Sequence, residues 1–185
     1  GVLRELPPRQ CVVFALPGPA PEGRVNRAPH FAGGRMRARL DGLGDRFTVE
    51  FWLWNGLPDR VRPVTGHLFS RGSGERLGIG GTAGDDRAGK LFTPGGAGRT
   101  TLSLRTWHHV ALVREGRKVR VHLDGRAEPE ISGETEPPTG PQELFFGGSS
   151  EGAEGLEGKL DEAAVYDRAL SPDELARHYA AARRP

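Results

Sequence analysis

The stretch Gly158–Leu175 reads Gly-Lys-Leu-Asp-Glu-Ala-Ala-Val-Tyr-Asp-Arg-Ala-Leu-Ser-Pro-Asp-Glu-Leu. Its first half predicts a β-strand that carries an Asp–Glu pair and ends in a bend after Tyr166. A helix start follows, because Ser171 is a preferred N-cap, Pro172 suits the first helical position and Glu174 completes a capping box. The stretch therefore predicts a last strand that leads directly into a C-terminal helix.

The strongest strand signal lies earlier, in Phe47–Trp54. Alternate residues form one wholly apolar face, and the other face carries Thr48, Glu50 and two tryptophans. Both faces of this strand are therefore expected to be covered, as in the middle of a sandwich. Trp107–Arg114 and Lys118–Leu123 flank a short turn that contains a glycine, and they predict a hairpin.

The remaining strand signals are short and are separated by frequent turns. Residues 30–40 predict a hairpin whose outer face carries arginines, and His67–Arg71 with Arg76–Gly80 predict a strand pair. No long helix alternates with the strands. The pattern predicts an all-β fold: an antiparallel two-sheet jelly-roll sandwich with a short C-terminal helix.

The composition fits a single domain. The 185 residues are 36% hydrophobic, which is enough for one core, and the 28 glycines and 15 prolines predict many turns. We expect a linker over residues 1–10 and one jelly-roll domain over residues 11–185. The net charge of +2 does not indicate a basic face with interleaved aromatics, so nucleic acid is not an expected partner.

The sequence was also searched for membrane-spanning and targeting segments. No apolar run is long enough for direct membrane insertion, and no secretory leader is recognised. The chain begins with Gly1 rather than Met. We therefore expect a domain of a longer protein, with the targeting signal elsewhere and the other domains of that chain among its partners.

Short motifs follow one another in a recognisable order. They are Phe31–Gly34, a Phe-Thr-x-x-x-Trp pattern at Phe47–Trp52, Trp107–Val113, Val121–Gly125 and a Gly-x-Leu-Asp-Glu ending at Gly158–Glu162. In this combination the chain resembles the laminin-G-like, concanavalin A-like jelly-roll modules, over most of its length. The resemblance implies two curved sheets, a concave face that often binds glycans, and an extracellular, periplasmic or cell-surface location.

The resemblance also implies a structural calcium ion (Ca²⁺). In such sandwiches the ion commonly takes a side-chain oxygen from an Asp on the last strand, which Asp161 matches. Backbone carbonyls would come from the first strand and from an early glycine-rich turn, Asp41–Gly44, with Gly42 in its middle. Calcium takes about six to eight oxygen ligands, which carbonyls, a carboxylate and waters can supply. The alternative is that Asp161 caps or pairs with a neighbouring loop without a metal.

The candidates for ligand contact are Trp54, Asn55, His67, Arg71 and His122. Trp54 and Asn55 lie at a strand end, where a ring and an amide can grip a sugar, and with His67 they form the predicted cluster. The alternative for His67, Arg71 and His122 is a solvated outer strand face.

The sequence does not predict an enzyme. Glycosidases on this fold need two carboxylates about 5 to 10 Å apart. Glu50 stands alone among apolar neighbours, while Asp161 and Glu162 are adjacent and point to opposite strand faces. No nucleophile elbow, zinc-binding His-Glu-x-x-His or phosphate-binding glycine motif is present.

Two binding functions stay open, with a glycosidase as a less favoured third. The first is a carbohydrate-binding module that grips a polysaccharide or other glycan with the concave face and the loops Asn55–Val64, Gly81–Lys90 and Glu128–Pro141. The second is a protein-interaction or adhesion module. Aromatic residues make up only 7% of the chain, so ring platforms for sugars are few and the two functions stand nearly level.

Overall fold

The computed structural model describes residues 2–4, 11–15, 28–72, 74–83, 86–139 and 143–182, and for residues 2–4 and 11–15 it describes the backbone. In chain order the elements are β1 (Val2–Arg4), β2 (Cys11–Ala15), β3 (His30–Ala32), β4 (Met36–Arg39), β5 (Arg46–Asn55), β6 (Val64–Arg71), β7 (Glu75–Gly80), β8 (Lys90–Thr93), β9 (Gly96–Thr101), β10 (Trp107–Glu115), β11 (Lys118–Leu123), β12 (Ile131–Glu134), β13 (Glu143–Phe146), β14 (Glu157–Tyr166) and α1 (Pro172–Ala182).

These strands form two antiparallel sheets. The first sheet has the order β1-β2-β14-β5-β10-β11-β12, and β3 pairs with another part of β14. The second sheet has the order β4-β13-β6-β7-β8-β9. The predicted all-β jelly-roll sandwich with one short C-terminal helix is confirmed.

Strand β5 lies in the middle of the first sheet, between β10 and β14. Apart from Arg46 at its start, its residues are buried or half-buried on both faces. The predicted coverage of both faces is therefore confirmed. The hairpin predicted from Trp107 onward is also confirmed, because β10 and β11 pair from Val110 opposite Leu123 to Glu115 opposite Lys118.

The hydrophobic core lies between the two sheets. Phe47 of the first sheet is fully buried, and its ring centroid is 6.5 Å from that of Phe69 in the second sheet. Phe69 is in turn 5.5 Å from Phe146 on the neighbouring strand. Burial of these large rings supplies much of the area that holds the sheets together.

Helix α1 packs on the outer face of the first sheet. The backbone N–H of Ser171 donates to Oε2 of Glu174 at 2.8 Å, and the N–H of Glu174 donates to Oγ of Ser171 at 3.3 Å, so the predicted capping box is confirmed. Leu175 is fully buried against Ala111 and Val113 of β10. At 11 residues α1 is too short to cross a membrane, and the described residues hold no other helix that could.

The hairpin predicted for residues 30–40 is wrong. Strand β3 pairs with β14 of the first sheet, whereas β4 pairs with β13 of the second, so the chain crosses between the sheets here. Gly33, at a φ of +80°, provides the bend in a left-handed conformation that glycine adopts without strain. The alternation in β4 is as expected, with Arg37 and Arg39 exposed and Ala38 buried.

Strands also occur in two ranges that were predicted to be irregular. The range 1–10, predicted as a linker, contains β1, which pairs with β2; its other residues lie outside the described part of the chain. The range 128–141, predicted as a loop, contains β12, which pairs with β11.

Candidate functional site

The two sheets differ in what covers their outer faces. On the first sheet, α1 places Tyr179 over Trp52, with ring centroids 5.6 Å apart, and His178 at 2.9 Å from Glu50. The outer face of the second sheet carries polar and aromatic side chains bordered by two loops. On the second sheet, Arg76 and Phe92 remain half-buried, so a ligand can reach that part of the face.

Strand register gathers a group of side chains on that face. We call it the second-sheet patch, and it consists of His67, Ser70, Arg76, Arg87 and Phe92. Across β6, β7 and β8, His67 lies opposite Gly78 and Gly78 opposite Phe92, while Ser70 lies opposite Arg76. Neighbouring strand residues belong to the hydrophobic core. A register shift in β6 between His67 and Phe69 puts both Leu68 and Phe69 in the core, so His67 and Ser70 lie together on the outer face. On β7 and β8 the ordinary alternation of side chains directs Arg76 and Phe92 to the same face.

Phe92 forms an aromatic platform in the patch. Its ring lies over Gly78, where a Cβ atom would stand 2.8 Å from the ring, so a larger residue there would push the ring out of this position. The ring of His67 meets Phe92 edge-on at 6.1 Å, and the guanidinium of Arg87 stacks on it at 5.4 Å. Phe92 itself is only half-buried. A ring in this position can stack on the apolar face of a sugar.

His67 is a buried polar side chain with an unused hydrogen-bonding atom. It is 6% exposed, and its Nδ1 atom has no hydrogen-bond partner among the described residues. Its Nε2 atom is 3.7 Å from a carboxylate oxygen of Glu154, too far for a hydrogen bond. Burial lowers the pKa of His67, Glu154 partly offsets this effect, and Arg76 adds to it. The imidazole is therefore neutral at neutral pH.

Ser70, like His67, is a buried polar residue with a side-chain atom that makes no hydrogen bond. Its side chain is 1% exposed, and its Oγ atom has no hydrogen-bond partner within the described part of the chain. In register it lies between Phe145 and Arg76, and Arg35 stacks over the Phe145 ring at 5.0 Å. Buried polar atoms normally bond to protein or to ordered water. Because both atoms are almost inaccessible to solvent, an enclosed water molecule is the group that can complete their bonding.

The loop between β13 and β14 borders one side of the patch. The guanidinium of Arg35 donates to the carbonyl oxygens of Ser149 and Ser150, the latter at 3.0 Å. Arg62 donates to the carbonyl oxygen of Gly155 in the same loop. Two arginines thus hold the backbone of this loop in place.

The loop between β7 and β8 borders the other side. The N–H of Gly89 donates to the carbonyl of Gly80 at 3.0 Å, and a Cβ on Gly80 would lie 2.2 Å from the carbonyl oxygen of Arg87. Glycine at position 80 therefore lets the loop turn back against β7. Residues 84 and 85 of this loop lie outside the described residues.

The structure separates the predicted cluster of Trp54, Asn55 and His67. Trp54 lies on the outer face of the first sheet, with the ammonium of Lys159 at 5.1 Å from its ring. Asn55 is 2% exposed, and its side-chain oxygen accepts a hydrogen bond from the N–H of Leu57 at 3.2 Å. Of the three, only His67 lies in the second-sheet patch.

Arg71 and His122, also predicted to contact a ligand, are buried. Arg71 stacks over the Phe47 ring at 4.9 Å and donates to the carbonyl of Gly44 at 2.5 Å. His122 is 3% exposed on the first sheet, with Nδ1 at 3.0 Å from the carbonyl oxygen of Arg126. Burial lowers the pKa of His122, and the contact with that carbonyl opposes the change. Both side chains therefore support the fold around them.

The residues predicted to bind calcium lie in different places. Asp161 of β14 is opposite Trp52 of β5. The turn that contains Gly42 leads into Arg46, at the start of β5. From Arg46 to Trp52 the strand advances by about 20 Å, so the two halves of the predicted site do not meet.

Each half of the predicted calcium site also has protein partners. The carbonyl oxygens of Leu43 and Gly44 both accept hydrogen bonds from the guanidinium of Arg71, and Oδ1 of Asp161 accepts one from the N–H of Glu162. The described residues contain no group of three or more His, Cys, Asp or Glu side chains placed to share an ion. The predicted ligand set does not fit calcium as one site, and calcium binding stays a prediction.

The carboxylate in the strongest strand, Glu50, lies beneath α1. It is 5% exposed, and its Oε1 atom accepts a hydrogen bond from the hydroxyl of Tyr166 at 2.7 Å and lies 2.9 Å from Nδ1 of His178. This carboxylate is enclosed by the fold and cannot reach a ligand on the second sheet.

Sequence reasoning missed Ser70, Arg76 and Phe92. The short strand around Phe92 was predicted, but a strand signal does not show which residues of distant strands lie side by side. Gly78 is the signal that could have found the site. A glycine within a predicted strand indicates that another group approaches the backbone closely.

Solved structures of other proteins share this fold. Domain 4 of AbnA, a GH43 extracellular arabinanase from Geobacillus stearothermophilus in complex with arabinotriose, matches with a TM-score of 0.61 and 19% identity, over 91% of this chain and 80% of that chain. A Bacteroides ovatus protein to which carbohydrate binding is ascribed matches with a TM-score of 0.62 and 18% identity, over 81% of this chain and 46% of its own. Trypanosoma rangeli sialidase matches with a TM-score of 0.56 and 20% identity, over 84% of this chain and 28% of its own. At these identities the likeness shows the fold alone.

Sequence comparison shows the family. A search of curated protein sequences found no match to this chain. A laminin-G family model described as concanavalin A-like lectin/glucanases matches residues 33–176, a range that includes the whole second-sheet patch. The chain therefore belongs to the concanavalin A-like lectin/glucanase superfamily.

Proposed function

We propose that this chain is a non-catalytic carbohydrate-binding module that holds its glycan on the second-sheet patch. The observation that carries the proposal is the half-buried Phe92 ring over Gly78, with the half-buried guanidinium of Arg76 on the same face. A sugar offers an apolar face for stacking and hydroxyls for hydrogen bonding, and these two side chains match the two needs. His67 and Ser70 lie beneath this surface, where an enclosed water molecule can bond their polar atoms.

The positions of the carboxylates favour binding without catalysis. A glycosidase holds two carboxylates on either side of the bond that it cleaves. Glu50 is enclosed beneath α1, on the other side of the sandwich from the patch. Beside the patch, the carboxylate of Glu154 lies 3.7 Å from Nε2 of His67, and at one end of β13 Glu143 is paired with Arg37 at 3.5 Å.

The likeness to other structures supports a location outside the cytoplasm. The similar arabinanase is extracellular and the similar domain was solved with arabinotriose. The Bacteroides ovatus and Trypanosoma rangeli chains are much longer than this one. By analogy we propose that this chain works as a glycan-binding domain of a larger secreted or cell-surface protein.

Binding of the purified domain to a polysaccharide and glycan array tests the proposal. We expect selective binding that falls at least tenfold in Phe92→Leu, which keeps an apolar side chain but removes the stacking ring. Trp54→Leu is the matched control, because it removes an aromatic ring from the first sheet and should leave binding unchanged. Repeating the array in calcium and in chelator shows in the same experiment whether an ion takes part.

Two results would contradict the proposed function. Loss of glycan binding in Trp54→Leu with retention in Phe92→Leu would move the site to the first sheet. A blank array with folded protein would favour the alternative of a protein-interaction or adhesion module. Thermal melts of each variant distinguish a lost contact from a lost fold.

A further inference from the structure

We propose that the second-sheet patch selects acidic polysaccharides, with Arg76 binding the carboxylate of a uronic-acid residue while Phe92 stacks on a sugar ring. This inference rests on the proposed function, since it names the ligand class of the same site. It follows from the charges on the second sheet and from the way in which they are paired.

Several cationic side chains lie on this face, along with the carboxylates of Glu143 and Glu154. The cations come from β4 and its lead-in, from β7, and from the start of β8 and the loop before it, and they are Arg35, Arg37, Arg76, Arg87 and Lys90. Arg37 is paired with Glu143, and Arg35 is engaged by main-chain carbonyls. Arg76, Arg87 and Lys90 lie on or beside the strands that form the patch, where their positive charges attract anions.

Arg76 is the cation best placed to recognise a ligand. It lies opposite Ser70 on the neighbouring strand, close enough to His67 to lower the pKa of that imidazole. The described residues provide no carboxylate within ion-pair distance of its guanidinium. A guanidinium binds a carboxylate through two parallel hydrogen bonds, which fixes the orientation of the bound group.

The environment of Arg76 discriminates against neutral sugars. Arg76 is half-buried, and a ligand resting on Phe92 would remove more water from its guanidinium. Covering a charge is unfavourable unless a partner of opposite charge replaces the lost water. A neutral sugar provides no such charge, whereas a uronic acid does. Arg87, stacked on the Phe92 ring, adds a further positive charge beside the same position.

Matched polymers that share a sugar backbone and differ in whether they carry the carboxylate test this inference. The probes are polygalacturonate with its fully methyl-esterified form, and hyaluronan with its carboxyl-reduced form, titrated in 150 mM salt, which is about physiological ionic strength. We expect each acidic polymer to bind at least tenfold more tightly than its neutral partner, as a charge-assisted hydrogen bond implies. Arg76→Gln should reduce the affinity for the acidic polymer to that for the neutral one.

Arg177→Gln is the matched control for Arg76→Gln. Arg177 is exposed on α1, which covers the first sheet, so this change alters the net charge equally and leaves the patch intact. The control should keep the full preference for the acidic polymers. An equal loss in both variants would show that net charge alone drives binding and would overturn the assignment to Arg76.

The remaining outcomes separate this inference from the proposed function. Equal or tighter binding of the neutral polymers overturns the acidic ligand class and leaves the carbohydrate-binding function standing. Dextran sulfate that competes as well as the carboxylated polymers overturns carboxylate recognition, because it would indicate non-specific attraction of anions. Binding to no polymer here or on the array overturns both proposals.

Discussion

At the scale of single residues, Glu50 is the centre of a buried polar cluster beneath α1. It accepts a hydrogen bond from Tyr166 at 2.7 Å, and the side chains of His178 and His109 lie 2.9 and 3.4 Å from its carboxylate oxygens. Burial alone would raise the pKa of Glu50, but the nearby imidazole of His109, the hydrogen bond from Tyr166 and the imidazole of His178 together lower it. Glu50 is therefore ionised in the folded protein at neutral pH.

This lowered pKa links stability to pH in a definite direction. A carboxylate whose folded pKa is below its unfolded value stabilises the fold above the unfolded pKa, about 4.3 for Glu. The stabilisation is lost as the pH falls through the folded pKa. We expect Glu50→Gln to lower the free energy of unfolding by about 1–3 kcal/mol at pH 7 and to weaken the dependence of stability on pH in acid. Urea unfolding curves between pH 3 and pH 7 measure both effects, with Glu128→Gln as an exposed control.

The Arg114–Glu75 ion pair connects the two sheets at one end of the sandwich. Both side chains are fully buried, and the guanidinium also donates to the carbonyl of Gly116 at 2.6 Å and to the hydroxyl of Thr135. Burial raises the pKa of Glu75, while the hydrogen bond and the charge of Arg114 oppose that effect. The pair is stable only while both partners are present.

Replacing one residue of the ion pair should therefore lower the free energy of unfolding more than replacing both. We expect Arg114→Met to destabilise the protein by roughly 3–5 kcal/mol, because it leaves a buried carboxylate without its cation. The double variant Arg114→Met with Glu75→Leu should recover most of that loss. Chemical denaturation of both variants measures the difference, and a double variant less stable than Arg114→Met alone would contradict the expectation.

At the scale of elements, α1 is a segment that local sequence signals predict correctly. Its start is fixed by the capping box of Ser171 and Glu174, and the hydrogen bond from Arg168 is the main cause that lowers the pKa of Glu174 to about 2. We expect Ser171→Ala to lower the free energy of unfolding by about 1 kcal/mol. Ser171→Asp, which keeps a capping oxygen, should retain wild-type stability. Thermal melts of the two variants check the comparison.

Other elements were not predictable from local signals. The alternation in β4 was correctly interpreted, but its pairing with β13 rather than β3 depends on a crossover that no short pattern specifies. Strand β12 was missed because Ile131–Glu134 contains a single large apolar residue. Its strand conformation comes from pairing with β11, which is a tertiary effect.

The residues of the candidate site were harder to predict from the sequence than the strands and the helix. His67 was chosen from the sequence, but its neighbours Phe92 and Arg76 come from the next two strands. Trp54 and Asn55 were chosen because they follow one another at a strand end, yet one side chain lies on the outer face of the first sheet and the other is buried. Sequence proximity is a poor guide where strand pairing decides which side chains meet.

At the scale of the whole molecule, the two outer faces of the sandwich differ: α1 covers one, and the other carries the second-sheet patch. Helix α1 seals the first sheet through Leu175, which is fully buried. The second sheet carries the patch proposed to bind glycan. The core between the sheets separates these regions, so changes on one face should have little effect on the other.

Leu175→Ala tests this separation. We expect it to lower the free energy of unfolding by about 2–5 kcal/mol, because it leaves a cavity between α1 and β10. Well below the melting temperature, the affinity for a glycan that the wild type binds should stay within twofold. A large loss of affinity in a variant that is still folded would show that the two faces are coupled.

The loop between β13 and β14 is held by arginines that bind its carbonyl oxygens, groups that every amino acid possesses. Side chains at Ser150, Glu151 and Ala153 are exposed and take no part in that anchoring, whereas Gly152, at a φ of +77°, must stay. The three exposed positions can therefore accept new residues while the loop keeps its path. They are therefore suitable positions for a substitution library that tests the ligand selectivity of the proposed glycan-binding patch.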